Sequence, residues 1–84
     1  MIIKLIKNNI NYLNPYLVRG LLYIKNIEIS EEESKYINKA VKTYYNDLLN
    51  KDYKTSLNYL YDKVNKKDLD KILNLYIELR DKYL

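Results

Sequence analysis

Residues 30 to 48 read SEEESKYINKAVKTYYNDL, and this stretch holds the clearest helix signal in the chain. Ser30 suits the N-cap position, where its hydroxyl can accept a hydrogen bond from the Glu33 amide while the Glu33 carboxylate reaches back to the Ser30 amide. The glutamates that follow Ser30 also favour the positive end of a helix. We therefore predict a helix beginning after Ser30, whose buried residues at helical spacing are Ile37, Ala40, Val41, Tyr44 and Leu48.

The residues before this stretch predict two earlier helices. Asn14 suits an N-cap and Pro15 suits the first helical position, so a helix is expected from Pro15 to about Asn26. Residues 1 to 13 also place apolar residues on one side at helical spacing, although residues 1 to 7 could form a short strand instead. The residues expected on the buried sides are Ile2, Ile3, Ile6, Ile10 and Leu13 in the first helix and Leu17, Val18, Leu21 and Ile24 in the second.

Two further helices are expected after residue 50. Asp52 is a plausible N-cap for one of them, and Asn65, with Asp68 three residues later, begins the other. The expected buried residues are Tyr53, Leu57, Leu60, Tyr61 and Val64 in the first, and Leu69, Ile72, Leu73, Tyr76, Leu79 and Tyr83 in the second. Short connections between amphipathic helices predict an all-α single domain over residues 1 to 84, a compact bundle of four to five short, mostly antiparallel helices.

Composition argues against several kinds of chemistry. The 84 residues include no histidine and no cysteine, so the usual general base near neutral pH and the commonest transition-metal ligands are missing. The chain has one glycine, too few for a phosphate-binding loop. Glu28, Glu31, Glu32 and Glu33 are interpreted as helix-capping residues, because carboxylates on consecutive helical positions splay apart. We expect no enzymatic activity, no catalytic residue, no metal and no cofactor.

The sequence shows no targeting or membrane segment. Lys4 and Lys7 interrupt the apolar start of the chain, and no apolar run approaches the roughly 20 residues of a membrane-spanning helix. We expect a cytoplasmic protein with no membrane partner.

Five residues are candidates for binding a protein partner. Tyr16, Arg19 and Tyr23 recur at spacings of three and four, on the side of their helix away from Leu17 and Leu21. Tyrosine and arginine are enriched at binding hot spots. The alternative is that this side packs on another helix. Tyr59, opposite the apolar side of its own helix, and Arg80, in the middle of an apolar arc, complete the set; Arg80 could instead extend to the C-terminal end of its helix.

Two other surfaces suggest different roles. Lys35, Lys39 and Lys42 form a basic stripe that could contact the phosphates of a nucleic acid, although a solvated face is the favoured explanation because acidic residues interleave with the other lysines. The formal net charge of +4 is compatible with both. The last helix is apolar over more than half of its circumference, which indicates either a central helix or a homo-oligomer joined through residues 66 to 84.

These features favour a non-enzymatic protein-binding module, of the inhibitor or adaptor type, that occludes a larger protein. The size and helical order are similar to those of small bacteriocin immunity proteins and of phage-encoded anti-defence proteins. No motif matches either, so the resemblance concerns the fold and implies at most a viral or mobile-element origin. The alternatives are a nucleic-acid-binding accessory protein and a structural subunit that self-associates through its C-terminal helix.

Overall fold

The computed structural model describes residues 10 to 83. This part of the chain has no strand; it forms a 3-10 turn, Ile10–Tyr12, followed by four helices, α1 (Pro15–Ile24), α2 (Glu31–Leu49), α3 (Lys54–Leu60) and α4 (Lys66–Tyr83). The Cα radius of gyration is 11.9 Å, close to the roughly 12 Å typical of a compact domain of this length. The prediction of a compact all-α bundle is confirmed. The helix expected over residues 1 to 13 falls mostly on residues 1 to 9, which lie outside the described part.

The helices begin where short polar side chains satisfy free backbone amides. Asn14 Oδ1 accepts from the Leu17 amide at 2.9 Å, and Asn65 Oδ1 accepts from the Lys67 amide at 2.9 Å. Asp52 Oδ1 accepts from the Lys54 amide at 3.0 Å, although the N-cap residue of α3 is Tyr53. The predicted starts of α1 and α4 are confirmed, and α3 begins close to the predicted cap.

Both reciprocal hydrogen bonds predicted at the start of α2 are present. Ser30 Oγ accepts from the Glu33 amide at 3.0 Å, and Glu33 Oε1 accepts from the Ser30 amide at 3.0 Å. The second carboxylate oxygen, Oε2, accepts from the Asn65 amide at 2.8 Å. The same carboxylate therefore closes the start of α2 and ties it to the start of α4.

The core gathers around α2, which packs against α1 on one side and α3 on the other. Ser34, although polar, is fully buried there, and its hydroxyl donates to the Glu31 carbonyl. The connection between α1 and α2 also contributes to the core, because Asn26 adopts a left-handed φ of 62° and the chain then turns Ile27 and Ile29 inward. The buried hydrophobic residues are Val18, Leu22, Ile27, Ile29, Ile37, Ala40, Leu60, Val64 and Leu69.

The predicted buried side of α1 is wrong in three of its four positions. Val18 is buried as expected, but Leu17, Leu21 and Ile24 are exposed and Leu22 is buried instead. The helix carries two apolar stripes of similar strength, so its own pattern does not decide its rotation. Packing against α2 and against the inward-turned Ile27 and Ile29 selects the stripe of Val18 and Leu22.

Three residues expected in the core near the C-terminus are exposed. Tyr61 directly follows the last residue of α3 and is exposed, although its own backbone dihedrals, φ −54° and ψ −40°, are still helical. Leu79 and Tyr83 are exposed on α4. The Tyr76 hydroxyl donates to the Leu48 carbonyl, near the C-terminal end of α2.

Candidate protein-binding face

Helix α1 presents one side to the core and an apolar side to solvent. Val18 and Leu22, one turn apart, are its buried residues. At about 100° per residue, Gly20 lies about 160° around the helix axis from both of them, and therefore at the centre of the solvent side.

Large apolar and aromatic side chains surround Gly20 on that side. Since exposed apolar residues are usually scattered over a protein surface, a cluster on a ten-residue helix is a distinguishing feature. We call this cluster, with Gly20, the outward face of α1. Its members and their exposed fractions are Tyr16 84%, Leu17 43%, Leu21 57%, Tyr23 65% and Ile24 73%.

Gly20 makes a depression at the centre of the outward face. A Cβ atom placed on Gly20 would meet no atom within 4 Å outside its own helix. Tyr16 and Tyr23 border the resulting shallow groove on one side, and Leu17 and Ile24 border it on the other. The groove is open to solvent.

Arg19 lies at the edge of the outward face and is held by the backbone. Its Nε donates to the Ile29 carbonyl at 3.2 Å. Arg19 also lines a second depression with Tyr23, Glu28 and Ile29. Because a guanidinium has five N–H donors, most of them remain available to a partner's carboxylate or carbonyl groups. The structure therefore brings together Tyr16, Arg19 and Tyr23, as the sequence predicted.

Tyr59 lies apart from these residues and packs within the fold. It is half-buried against the core, and its ring centroid lies 6.1 Å from that of Tyr44. Lys63 Nζ lies 4.5 Å from the centre of the Tyr59 ring and donates to the Tyr59 carbonyl. These contacts give Tyr59 a structural role in joining α3 to α2.

Arg80 lies near the C-terminal end of α4, away from the outward face. Its Nε is 3.2 Å from Asp81 Oδ1, and the Arg80 side chain is about three-quarters buried. Burial raises the pKa of Tyr76 one turn earlier, and the nearby positive charge of Arg80 partly opposes that effect. Arg80 thus interacts with Tyr76 and Asp81 on its own helix, α4.

Lys35, Lys39 and Lys42 are all exposed on α2. The two ion pairs among the described residues join Lys63 to Asp62 and Arg80 to Asp81, so the stripe keeps its positive charge free of such pairing.

The sequence pattern predicts that the three aliphatic members of the outward face, Leu17, Leu21 and Ile24, lie in the core, whereas all three are exposed. One signal could have identified them. Apolar residues occupy more than half of the circumference of α1, which is more than one packing partner can cover.

Among residues 10 to 83, no group of acidic side chains is placed to hold a metal ion. None of the helices described is long and apolar enough to cross a membrane. Comparison with known proteins finds no matching family model, no matching curated protein and no matching solved structure.

Proposed function

We propose that this chain is a non-enzymatic protein-binding module and that it occludes a larger protein through the outward face of α1. The exposed cluster of Tyr16, Leu17, Leu21, Tyr23 and Ile24 around Gly20 is the observation that carries the proposal. A helix that contributed only to the fold would turn polar residues toward solvent on this side.

The size of the outward face supports binding to a macromolecule. With about 200 Å² for a fully exposed large side chain, the exposed fractions correspond to on the order of 600 Å². A specific protein interface buries about 800 Å² on each partner. The outward face thus supplies most of one side of such an interface, and polar neighbours such as Arg19 and Glu28 can form its rim.

The groove over Gly20 indicates how the partner is held. Interface hot spots are buried anchors that fill a pocket near the centre of the contact. A large apolar side chain of the partner would fit between Tyr16 and Ile24, directly above Gly20. Arg19, at the edge, would then hold a carboxylate of the partner through its free N–H groups. The partner is therefore expected to present a protruding apolar side chain next to an acidic group.

A tagged pull-down with matched tyrosine variants tests this proposal. Tyr16→Ala and Tyr23→Ala should each change the free energy of unfolding by less than about 0.5 kcal/mol, because both rings are exposed. They should weaken partner capture by about 1 kcal/mol or more, roughly fivefold. The control is Tyr61→Ala, which removes an equally exposed ring from a different element.

Equal capture by all three variants would show that the outward face is not the binding surface. A loss of about 3 kcal/mol of stability in Tyr16→Ala and Tyr23→Ala, as for buried aromatic residues, would make them core residues instead.

A second candidate function is nucleic-acid binding, favoured by the exposure of Lys35, Lys39 and Lys42 on one helix. If the stripe contacts phosphates, affinity for duplex DNA should fall with salt by a log–log slope of about −0.9 per contact. Replacing the three lysines with alanine should abolish a gel shift at low salt. The control replaces Lys54, Lys66 and Lys71, which are also exposed and carry the same total charge. No shift by the unmodified protein rules this function out.

A further inference from the structure

The outward face of α1 is nearly symmetric about Gly20. Tyr16 and Tyr23 lie four residues before and three residues after Gly20, and Leu17 and Ile24 lie three before and four after. At about 100° per residue, both tyrosines lie on one flank, about 40° and 60° around the axis from Gly20. Leu17 and Ile24 lie at the same angles on the other flank. The helix therefore has an aromatic flank and an aliphatic flank, and each flank has one side chain before Gly20 and one after it.

This arrangement is complementary to itself when a second copy runs in the opposite direction. If two α1 helices cross antiparallel at Gly20, the aromatic flanks face each other and the aliphatic flanks face each other. Tyr16 of one copy then lies beside Tyr23 of the second copy, with axial positions that differ by only about 1.5 Å. Leu17 lies beside Ile24 in the same way. Self-complementarity of this kind is what a two-fold symmetric interface requires.

Gly20 allows the two helices to approach closely. The distance between packed helix axes depends on the side chains at the contact, and glycine has none. A Cβ atom placed on Gly20 would meet nothing within 4 Å outside its own helix, so this position is open to the backbone of a second copy. The flanking side chains are exposed and can meet across the crossing point, since Tyr16 is 84% and Ile24 73% exposed.

The area and the charge of the outward face also suit a second copy. About 600 Å² from each copy gives about 1,200 Å² for the pair, the lower end of the range for specific interfaces. No acidic residue lies on α1, and Arg19 at its edge lines a depression together with Glu28. The rim of each copy therefore carries one charge of each sign. An interface of this size predicts a reversible pair.

We infer that the outward face of α1 binds a second copy of this chain, with the two helices crossing antiparallel at Gly20. The inference rests on the proposed function in that it uses the same face, and it adds a form of regulation. A pair of copies covers both outward faces until the larger protein displaces one copy. The test uses this chain alone, so its failure leaves binding of a larger protein untouched, and a failed pull-down leaves the pair untouched.

Disulfide cross-linking tests the antiparallel geometry, and the chain has no cysteine of its own to interfere. Two single variants, Tyr16→Cys and Tyr23→Cys, are mixed in equal amounts at millimolar concentration and mildly oxidised. A disulfide needs Cβ atoms within about 4.5 Å of each other. In the antiparallel pair, position 16 lies beside position 23 of the second copy, whereas the two copies of position 16 lie about 12 Å apart along the axis.

We expect the link between positions 16 and 23 to exceed the link between two copies of position 16 by at least about tenfold, because only the former pair is within disulfide reach. Trypsin cleaves after Arg19, which separates the two positions into different peptides, so mass spectrometry identifies each link. The control mixes Tyr16→Cys with Tyr61→Cys, which replaces an equally exposed ring outside α1 and should give only collisional links.

Sedimentation of the unmodified chain at the same concentration should give an average mass above the 10.2 kDa of one copy. Circular dichroism checks that the variants keep the helical fold; if either does not, Leu17→Cys with Ile24→Cys tests the aliphatic flank in the same way. The inference is overturned if the unmodified chain sediments as single copies. It is also overturned if links between two copies of one position, or links to position 61, are as abundant as links between positions 16 and 23.

Discussion

At the scale of single residues, Glu33 joins parts of the chain that are far apart in sequence. One carboxylate oxygen completes the cap of α2 and the other accepts from the Asn65 amide, 32 residues away. Partial burial alone raises the pKa of Glu33, but the hydrogen bonds from Ser30 and Asn65 together lower it below its ordinary value of 4.5. The ionised carboxylate is thus the form that the folded chain stabilises.

Ser30→Ala should destabilise the fold by about 1 kcal/mol, because the Glu33 amide loses the acceptor that caps α2. Chemical denaturation measures the change in the free energy of unfolding. Thr43→Ala is the control, since it removes a hydroxyl from an exposed position inside the same helix and should not destabilise it. A loss below about 0.3 kcal/mol in Ser30→Ala would mean that the cap contributes less than is usual.

Glu33→Gln should cost about 1 kcal/mol at neutral pH, because a neutral amide cannot accept from both Ser30 and Asn65 as the carboxylate does. The cost should shrink as the pH falls. Between the lowered pKa of the folded state and the ordinary value of 4.5, the unfolded chain binds more protons, so acidification favours unfolding of the unmodified protein.

Chemical denaturation at several pH values between 6 and 3 measures how the difference in the free energy of unfolding between Glu33→Gln and the unmodified protein shrinks. Glu32→Gln removes one negative charge from the same end of α2 without touching these hydrogen bonds, and so controls for charge alone. A difference between Glu33→Gln and the unmodified protein that stays constant over this range would contradict the assigned role of the carboxylate.

At the scale of elements, α1 shows how one short helix can serve two surfaces. Val18 and Leu22 anchor it to α2, while larger apolar side chains surround Gly20 on the opposite side. Glycine inside a helix costs free energy relative to alanine, and nothing in the isolated chain prevents an added Cβ at this position. The open groove above Gly20 therefore contributes nothing to the stability of the free protein.

Gly20→Ala should consequently raise the free energy of unfolding by about 0.5 to 1 kcal/mol. The same methyl group occupies the groove, so partner capture through the outward face should weaken. Denaturation and pull-down on the same preparation measure these opposite effects. A gain in stability with unchanged capture would exclude the groove as the site that holds the partner's anchor side chain. It would not exclude binding through the other residues of the outward face.

At the scale of the whole molecule, two apolar surfaces compete as places for association. Leu79 and Tyr83, the exposed large residues near the end of α4, are 42% and 45% exposed. Together the two side chains expose on the order of 200 Å² of surface, about a third of the area that the side chains of the outward face of α1 expose. Since association depends on apolar area removed from water, the outward face has the larger driving force.

We therefore expect Leu21→Lys to lower the average mass of the free chain in sedimentation runs near 1 mM, and Leu79→Lys to leave it unchanged. Both variants make the same replacement at an exposed leucine, so each serves as the control for the other. The reverse pattern would identify residues 66 to 84 as the surface that joins two copies.

The sequence alone determined the parts of this protein that depend on neighbours along the chain. Asn14, Ser30 and Asn65 cap helices that begin beside them, and the spacing of Ile37 and Ala40 identifies the buried side of α2. These interactions span three or four residues, so the local pattern contains all the information they need. The same spacing predicted that Tyr16, Arg19 and Tyr23 share one side of α1, and all three are exposed. The prediction that Leu17 and Leu21 lie on the opposite, buried side is wrong, because both are exposed beside them.

Only the tertiary structure decided which of two apolar stripes on α1 is buried, because that choice depends on Ile27, Ile29 and the surface of α2. The link from Glu33 to Asn65 was equally hidden, since it results from contact between helices rather than from a motif within one. Helical periodicity specifies which residues share a side, whereas packing between helices decides whether that side meets the core or solvent.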